Sequence, residues 1–229
     1  MNIALILASG TGERFGQELP KQYTLLNGKA SLQYVIEAIA AAKTLDEMII
    51  VATSPLPLCK ELAQKYHAHL IDGGATRNLS MGKGLDYIHT NYPNCDKVLV
   101  TDAVRPLIPA TLFDSYMEKL TTHDVVVTCR KITDEVGCKH QFDLCRNDYF
   151  LMSSPQAYRI DWLYKYYDPT SPKTEVLYMM PPTINPYYSF EFPYNFKLTW
   201  PWDKPLLESL LHYLKPGSEA TDAEITSNH

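Results

Sequence analysis

The amino-acid sequence predicts an α/β protein with a Rossmann-like, doubly wound and mostly parallel sheet. Two observations predict this fold. Short apolar segments alternate along the chain with segments in which apolar residues recur at helical spacing. The apolar segments are also nearly continuous, as in strands that helices cover on both faces. Strands that alternate with helices of about 10–15 residues favour parallel pairing.

The predicted elements follow one another in a regular order. Residues 2–8 (NIALILA) form the first strand, and the apolar residues of 31–42 recur at helical spacing. Further strands are predicted at 48–53, 69–71, 97–101 and 124–129, with helices at 58–66, 80–89 and 111–120. Residues 166–205 are dense in Tyr, Pro and Trp, which indicates an irregular or edge segment rather than a regular helix.

Composition limits the class of protein. The 229 residues are 45% apolar and 21% charged, which fits one domain over 1–229 with a substantial core. A net charge of −5 argues against a nucleic-acid binder, and no apolar run is long enough for a membrane span. The first residues already form a strand pattern, so we expect no signal peptide. Five cysteines without CxxC spacing favour reduced thiols in a cytoplasmic protein over disulfides or zinc.

Ligands of doubly wound sheets bind beyond the carboxyl ends of the strands, so the loops there carry the functional information. The loop after the first strand, SGTGERFG (9–16), contains three glycines. Glycines let backbone N–H groups approach a ligand, and with Arg14 and Lys21 they suit a polyphosphate. The spacing fits neither a P-loop nor a GxGxxG fingerprint, because Phe15 stands at the third glycine position. The alternative is a glycine turn with solvated charges.

Two later loops add to this site. GGATRNLS (73–80) can accept a planar base and a ribose, or alternatively Ser80 caps the next helix and the glycines make a turn. TDAVRP (101–106) places Asp102 at a strand end, where a carboxylate suits Mg²⁺ or a hydroxyl group. Arg105 can hold a phosphate or pair with Asp102.

Five motifs, in order and at compatible spacing, resemble those of one family. They are LILASGTGERFGQELPKQY (5–23), GGATRNLSMGKGL (73–85), TDAVRP (101–106), SSPQAY (153–158) and NFKLTWPWD (195–203). Together they resemble the methylerythritol-phosphate / ribitol-phosphate cytidylyltransferase family over nearly the whole chain. The resemblance implies a GT-A-like nucleotidyltransferase fold with a protruding β-arm, CTP as a substrate and Mg²⁺ or another divalent cation as cofactor.

The resemblance also implies a role for each matched residue. The CTP-binding residues would be Ala8, Ser9, Gly10, Thr11, Gly12, Arg14, Lys21, Gly74, Ala75, Ser80 and Asp102. The catalytic residues would be Arg14, Lys21, Asp102 and Lys197, with Asp102 at the metal ion. The phosphate of the second substrate would be bound by Arg105, Thr133, Arg146, Ser154 and Lys197.

Residues 133–152 interleave apolar and charged positions, a pattern too polar for a core helix and too apolar for a free loop. We therefore expect a two-stranded arm. An isolated hairpin of this kind is marginal in water and needs a partner surface. The resemblance implies that this arm interlocks with a second copy in a homodimer, so that the partner supplies part of the second-substrate site.

The acceptor half departs from the family's motifs. Thr101 replaces the histidine of H-D-A-x-R-P, the CRKITDE segment lacks the usual D-T, and residues 168–194 lack a T-D-[DE] motif, with only Thr174–Glu175 close to it. In the first loop, Ser9 replaces the usual alanine or glycine. We therefore expect a divergent enzyme that joins CMP to a small polyol phosphate such as ribitol 5-phosphate, with release of pyrophosphate. One alternative is the methylerythritol-phosphate enzyme of isoprenoid biosynthesis. Another is a relative that binds CTP or CDP without turnover.

Overall fold

The computed structural model describes residues 1–10, 15, 19–141 and 143–214. Its strands are β1 (Asn2–Leu7), β2 (Leu25–Leu26), β3 (Lys29–Ala30), β4 (Glu47–Ala52), β5 (His69–Asp72), β6 (Lys97–Asp102), β7 (Val125–Lys131), β8 (Phe150–Arg159) and β9 (Pro186–Ser189). Its α-helices are α1 (Ser31–Ala41), α2 (Pro57–Lys65), α3 (Arg77–Asn91), α4 (Ala110–Lys119), α5 (Ile160–Tyr166) and α6 (Asp203–Tyr213).

Seven of the described strands form one sheet in the order β5-β4-β1-β6-β8-β7-β9. The pairs β4–β5, β1–β4, β1–β6 and β7–β9 are parallel, whereas β8 is antiparallel to both β6 and β7. Because β1 lies between β4 and β6, its carboxyl end lies beside theirs. The loops that follow these strands therefore meet at one edge of the sheet.

Apolar residues of the central strands face both sides of the sheet. Ile6 and Ile50 pack against α1, α2 and α4 on one face, while Leu5 and Ile49 pack against α3 on the other. This two-sided burial explains why the strands are continuous apolar runs. A smaller cluster, which includes Leu26, Val104, Leu198 and Leu207, attaches α6 to the sheet near the loop after β6.

The strand–helix alternation predicted for the first 130 residues is confirmed. Each predicted element is present, with ends within three residues of the expected ones. The helix expected at 80–89 begins earlier, at Arg77, because the Thr76 hydroxyl caps it by accepting from the Leu79 N–H at 3.1 Å. Ser80 is therefore not the cap. The sequence analysis did not predict the strands β8 and β9 or the helix α5.

The expected two-stranded arm over 133–152 differs from the structure. The β7–β8 ladder ends at the pair Lys131–Phe150, so only the base of the arm is a two-stranded ribbon. Of the described residues between these ends, only Arg146–Asp148 have regular structure, as a 3-10 helix. The alternation of charged and apolar residues here does not reflect a ladder within one chain, because the described residues between Lys131 and Phe150 form no strand pair.

None of the helices in the described part of the chain is long and apolar enough to cross a membrane.

Candidate active site

A cleft of about 280 Å³ opens at the carboxyl ends of β1 and β6 and at the start of α3. It brings together residues from four motifs that the sequence analysis identified separately. Its lining includes the predicted residues Ala8, Ser9, Gly10, Lys21, Gly74, Ala75, Ser80, Asp102 and Lys197. Thr11, Gly12 and Arg14 lie outside the described residues.

The end of β1 is held in place by two hydrogen bonds. The side-chain amide of Gln22 donates to the Ala8 carbonyl at 2.8 Å, and the Ser9 hydroxyl donates to the Val51 carbonyl at 3.1 Å. Gln22 is buried within the 3-10 helix Lys21–Tyr23, so this contact brings Lys21 to the edge of the cleft. Gln22 is part of the first motif, and its role in the structure is to fix the end of β1.

The 73–80 loop is shaped by Ser80. The Ser80 hydroxyl accepts from the Gly74 N–H at 3.0 Å and donates to the Thr76 carbonyl at 2.9 Å. The loop also needs glycine at position 74, because a Cβ there would lie 2.5 Å from the Leu79 Cβ. Ser80 thus lines the cleft and fixes the backbone that Gly74 presents to it.

Asp102 is buried among three cations. Its Oδ1 lies 3.3 Å from Arg77 Nε, and its Oδ2 lies 2.8 Å from Lys197 Nζ and 3.8 Å from Arg105 Nε. Burial alone raises the pKa of the Asp102 carboxyl, but the charges of Arg77, Lys197 and Arg105 outweigh it and hold this pKa well below its usual range. Asp102 is therefore ionised, and the cluster keeps a net positive charge.

Arg105 is fixed by polar contacts to two of the later motifs. Its Nε donates to the Ser154 hydroxyl at 2.9 Å, and its Nη1 donates to the Asn195 carbonyl at 3.0 Å. The Asn195 amide in turn donates to the Ser154 carbonyl at 2.7 Å. TDAVRP, SSPQAY and NFKLTWPWD therefore meet in one hydrogen-bonded network, which places Lys197 beside Asp102.

The predicted acceptor residues fall into two groups. Arg105, Ser154 and Lys197 adjoin Asp102, whereas Arg146 contacts Thr133, donating to its carbonyl at 3.0 Å. Among the described residues, no hydrogen bond or ion pair joins the two groups. The described part of the chain therefore does not bring the five predicted acceptor residues together in one network.

Arg77 is a site residue to which the sequence analysis gave no role. Burial is the largest single effect on the Arg77 guanidinium and lowers its pKa. The charge of Asp102 and the hydrogen bond to it, together with Tyr158 and Glu175, outweigh burial, so the net pKa is raised. Arg77 and Asp102 pair across 25 positions of sequence. The signal was present, since the arginine stands within the quoted GGATRNLS motif.

The Tyr- and Pro-rich segment packs on the same helix end. The Asn78 amide donates to the carbonyls of Ser171 and Lys173, and the Tyr167 hydroxyl donates to the Asn78 carbonyl. Glu175 accepts from Gln156 at 2.9 Å and caps the 3-10 helix Val176–Met179. Thr174–Glu175, the nearest match to the T-D-[DE] motif, therefore serves local structure through the contacts of Glu175.

Asp102 supplies the one carboxylate among the described residues that line this cleft. Within the described part of the chain, no cluster of three His, Cys, Asp or Glu side chains occurs. Each Asp102 oxygen accepts one hydrogen bond, which leaves acceptor capacity for a metal ion. One carboxylate together with substrate phosphates is a usual set for Mg²⁺, so the residues fit a metal brought in with a nucleotide.

Comparison with known proteins agrees with this geometry. The family model for 2-C-methyl-D-erythritol 4-phosphate cytidylyltransferase matches residues 2–176. An enzyme of that name from Azobacteroides pseudotrichonymphae is 32% identical over 175 residues, which are 73% of this chain and 77% of that protein. A ribitol-5-phosphate cytidylyltransferase from Lacticaseibacillus paracasei is 25% identical over 178 residues, which are 73% of this chain and 76% of that protein.

The fold is also shared with solved structures. A 4-diphosphocytidyl-2C-methyl-D-erythritol synthase from Anaerococcus prevotii superposes with a TM-score of 0.78 at 23% identity, over 92% of this chain and 96% of that one. This likeness concerns the fold alone and confirms the nucleotidyltransferase architecture. With the family model covering most of its length, the chain belongs to the 2-C-methyl-D-erythritol 4-phosphate cytidylyltransferase family of nucleotidyltransferases.

Proposed function

We propose that the protein transfers CMP from CTP to a small phosphorylated alcohol and releases pyrophosphate. One observation carries this proposal: Lys21, the Gly74 loop and the Asp102–Lys197 pair line one cleft at the carboxyl ends of the strands. The Gly74 loop supplies backbone groups for a base, and the two lysines supply charge for phosphates. Arg14 and the Thr11–Gly12 backbone are proposed to complete the phosphate site.

The reaction needs charge and positioning rather than a general base. A phosphate monoester oxygen attacks the α-phosphorus of CTP, a new P–O bond forms, and the bond from the α-phosphorus to the bridging oxygen breaks. Pyrophosphate leaves with the electron pair. The phosphate dianion is already a nucleophile, so no proton must be removed. Lys21 and Lys197 would stabilise the charge that grows at the α-phosphate.

Mg²⁺ would be held by the CTP phosphates with Asp102 as its protein ligand. When bound, the ion neutralises phosphate charge and orients the leaving pyrophosphate. The role of Asp102 within the chain is independent of the ion, because its carboxylate offsets part of the repulsion among Arg77, Arg105 and Lys197.

The acceptor that we propose is a polyol phosphate such as ribitol 5-phosphate. The family model ends at residue 176, and the departures from the family's motifs lie mainly in the acceptor half, 101–194. One relative of similar coverage is named for ribitol 5-phosphate. The second candidate is 2-C-methyl-D-erythritol 4-phosphate, which is favoured by the family model and by most of the similar relatives.

One experiment tests activity and acceptor together. The protein is incubated with CTP, Mg²⁺ and either ribitol 5-phosphate, 2-C-methyl-D-erythritol 4-phosphate or glycerol 3-phosphate. CDP products are identified by mass, and pyrophosphate release is followed in parallel. A CDP-ribitol product supports the first acceptor, and a CDP-methylerythritol product supports the second. If the protein binds CTP but releases no pyrophosphate from it with any of the acceptors, the proposal is contradicted.

We further propose that residues 1–229 act as one cytidylyltransferase domain in a cytoplasmic homodimer. All five cysteines, each within the described residues, are unbonded, as in a reducing compartment. The irregular arm would pack against a partner, bringing Thr133 and Arg146 of one copy to the second-substrate site of the other.

A further inference from the structure

A second cleft of about 380 Å³ adjoins the first, and Lys197 lines both. It lies between β7, β8 and the 195–203 segment. Its cationic lining consists of Arg105, Arg130 and Lys197. The Asp203 carboxylate also lies there, but its Oδ2 accepts from the backbone N–H groups of Thr199 and Trp200 at 2.8 Å. The cleft therefore has an excess of positive charge.

Arg130 is held in place by an aromatic side chain. Its guanidinium carbon lies 4.8 Å from the centre of the Phe196 ring, a cation–π contact. Among the residues that the structure describes, no carboxylate lies within ion-pair distance of it. By contrast, the guanidinium of Arg105 is already committed to Asp102, Ser154 and Asn195.

The two arginines repel each other in the free protein. Burial lowers the pKa of the Arg105 guanidinium, and the charges of Arg77 and Arg130 lower it further against the opposing effect of Asp102. An anion in the second cleft would relieve this repulsion. A group with two negative charges and several oxygens satisfies Arg130 and Lys197 together.

The mouth of this cleft carries an exposed aromatic pair. The rings of Trp200 and Trp202 stack with centroids 5.1 Å apart and planes at 9°. Trp200 lines the cleft and is 39% exposed, while Trp202 is 67% exposed. The Asp203 carboxylate fixes the backbone of Trp200, and the Trp202 ring stacks on the side chain of Trp200. A large aromatic surface held in this way beside a cationic cleft suits the C–H face of a hydroxylated carbon chain or sugar ring.

We propose that Arg130 and Trp200 determine acceptor specificity: Arg130 binds the phosphate of the acceptor, and Trp200 contacts its carbon chain. This inference rests on the proposed transfer reaction and names the acceptor class as a phosphate monoester of a polyol or sugar. Phe196 and Trp202 are positioning residues, because each acts by holding one of these two side chains.

Binding is measured by calorimetry with the full chain and saturating α,β-methylene-CTP, whose α–β bridge does not break. The probes are inorganic phosphate, glycerol 3-phosphate and ribitol 5-phosphate. Arg130→Gln should weaken the binding of all three by roughly tenfold or more, because a charged hydrogen bond is lost. Trp200→Ala should weaken ribitol 5-phosphate by about fivefold and leave inorganic phosphate unchanged.

Two controls separate this inference from general effects. Arg159→Gln removes a positive charge from the far end of β8, where Arg159 pairs with Asp161, and should bind every probe like the wild type. Arg130→Lys should restore part of the phosphate affinity. Equal affinities of Arg130→Gln and wild type for all probes would overturn the inference, as would wild-type protein that binds none of them.

The proposed function can fail separately. Wild-type protein that binds the probes in an Arg130-dependent manner but forms no CDP product supports the second site and contradicts the transfer reaction. The opposite outcome is a wild type that forms a CDP product, with Arg130→Gln and Trp200→Ala showing the same acceptor KM and kcat as the wild type. That outcome supports the reaction and contradicts the assignment of these two residues.

Discussion

The Nζ of Lys197 lies 2.8 Å from Oδ2 of Asp102, and this lysine is shared by the two clefts. The carboxylate holds the lysine at the place where two phosphates would meet. A triphosphate carries more negative charge than one carboxylate. We therefore expect Lys197 to exchange part of its contact with Asp102 for phosphate when CTP binds.

The first prediction concerns the two cleft lysines. Lys21→Ala and Lys197→Ala should each lower kcat by roughly 10²-fold or more, because each removes a charged donor from the transition state. Pyrophosphate release at saturating CTP measures this. Lys204→Ala is the matched control, because Lys204 lies on the surface with its Nζ 4.0 Å from Glu208. The kcat of this variant should equal that of the wild type. Unchanged kcat in all three variants would make the cleft lysines ordinary surface charges.

The second prediction concerns the stability that Asp102 provides. Asp102→Asn should lower the free energy of unfolding by about 3 kcal/mol at neutral pH, because the buried Arg105 and the half-buried Arg77 and Lys197 lose their counter-charge. The lowered pKa of Asp102 fixes the pH dependence. The ionised Asp102 carboxylate contributes its full stabilisation above the pKa that it has in the unfolded chain, near 4. This stabilisation is lost as the pH falls from there through the lower pKa of the folded state.

Urea denaturation of wild type and Asp102→Asn across pH checks this. The difference between them should be constant from about pH 8 to about pH 5 and should shrink only below about pH 4. Asp161→Asn, which removes an exposed carboxylate, is the control and should differ little from wild type. A difference that already shrinks between pH 7 and pH 5 would assign the effect to another group.

The third prediction concerns the shape of the nucleotide loop. Gly74→Ala should raise KM for CTP by about tenfold or more, because the loop backbone must move and disturb positioned N–H groups. The added Cβ would lie 2.8 Å from the Leu79 carbonyl carbon, within the first turn of α3. Gly137→Ala is the control for CTP binding, since nothing lies within 4 Å of its Cβ position and the 136–148 segment is not expected to contact CTP. Calorimetric titration with CTP, without acceptor, should show the matching loss of affinity in Gly74→Ala and none in Gly137→Ala.

The fourth prediction concerns the choice of base. CTP should be preferred to UTP by about 10- to 100-fold in kcat/KM, because the O4 acceptor of uracil leaves backbone carbonyls unpaired where the N4 donor of cytosine would satisfy them. A purine should be rejected by the tight Gly73–Gly74 backbone. Equal kcat/KM for CTP and UTP would refute the base-binding role of the 73–80 loop.

The fifth prediction concerns assembly. Light scattering of the active protein should give twice the chain mass of 26.1 kDa. Deletion of 136–148 should yield monomers that bind CTP but make no CDP product, because the partner's half of the acceptor site is lost. Monomeric mass for the active, intact protein would contradict the homodimer. CTP affinity serves as the folding control for the deletion.

Local pattern predicted the nucleotide half well and the second half poorly. Continuous apolar strands such as β1 and β6, each followed by a loop of small and charged residues, can be recognised without knowing their partners. β8 could not be recognised in this way, because Pro155 interrupts a run that also contains Ser153, Ser154 and Gln156. Its place between β6 and β7 depends on antiparallel pairing with both strands.

The surroundings of Asp102 show a second limit. The motif predicted a carboxylate at a strand end and left open whether Arg105 would pair with it. The structure adds Arg77 and Lys197, which lie 25 and 95 positions away along the chain. Such contacts are set by the fold as a whole, so periodicity and spacing within one motif cannot reveal them.

The two clefts are encoded by different parts of the chain. Lys197 aside, the described residues that line the first cleft all precede residue 105, and those that line the second lie at 105 or beyond. Mutations can therefore change one lining while the other keeps its amino acids. On the proposed function, a duplicated gene could acquire a new acceptor by altering its second half alone, provided that Lys197 stays and continues to serve both substrates.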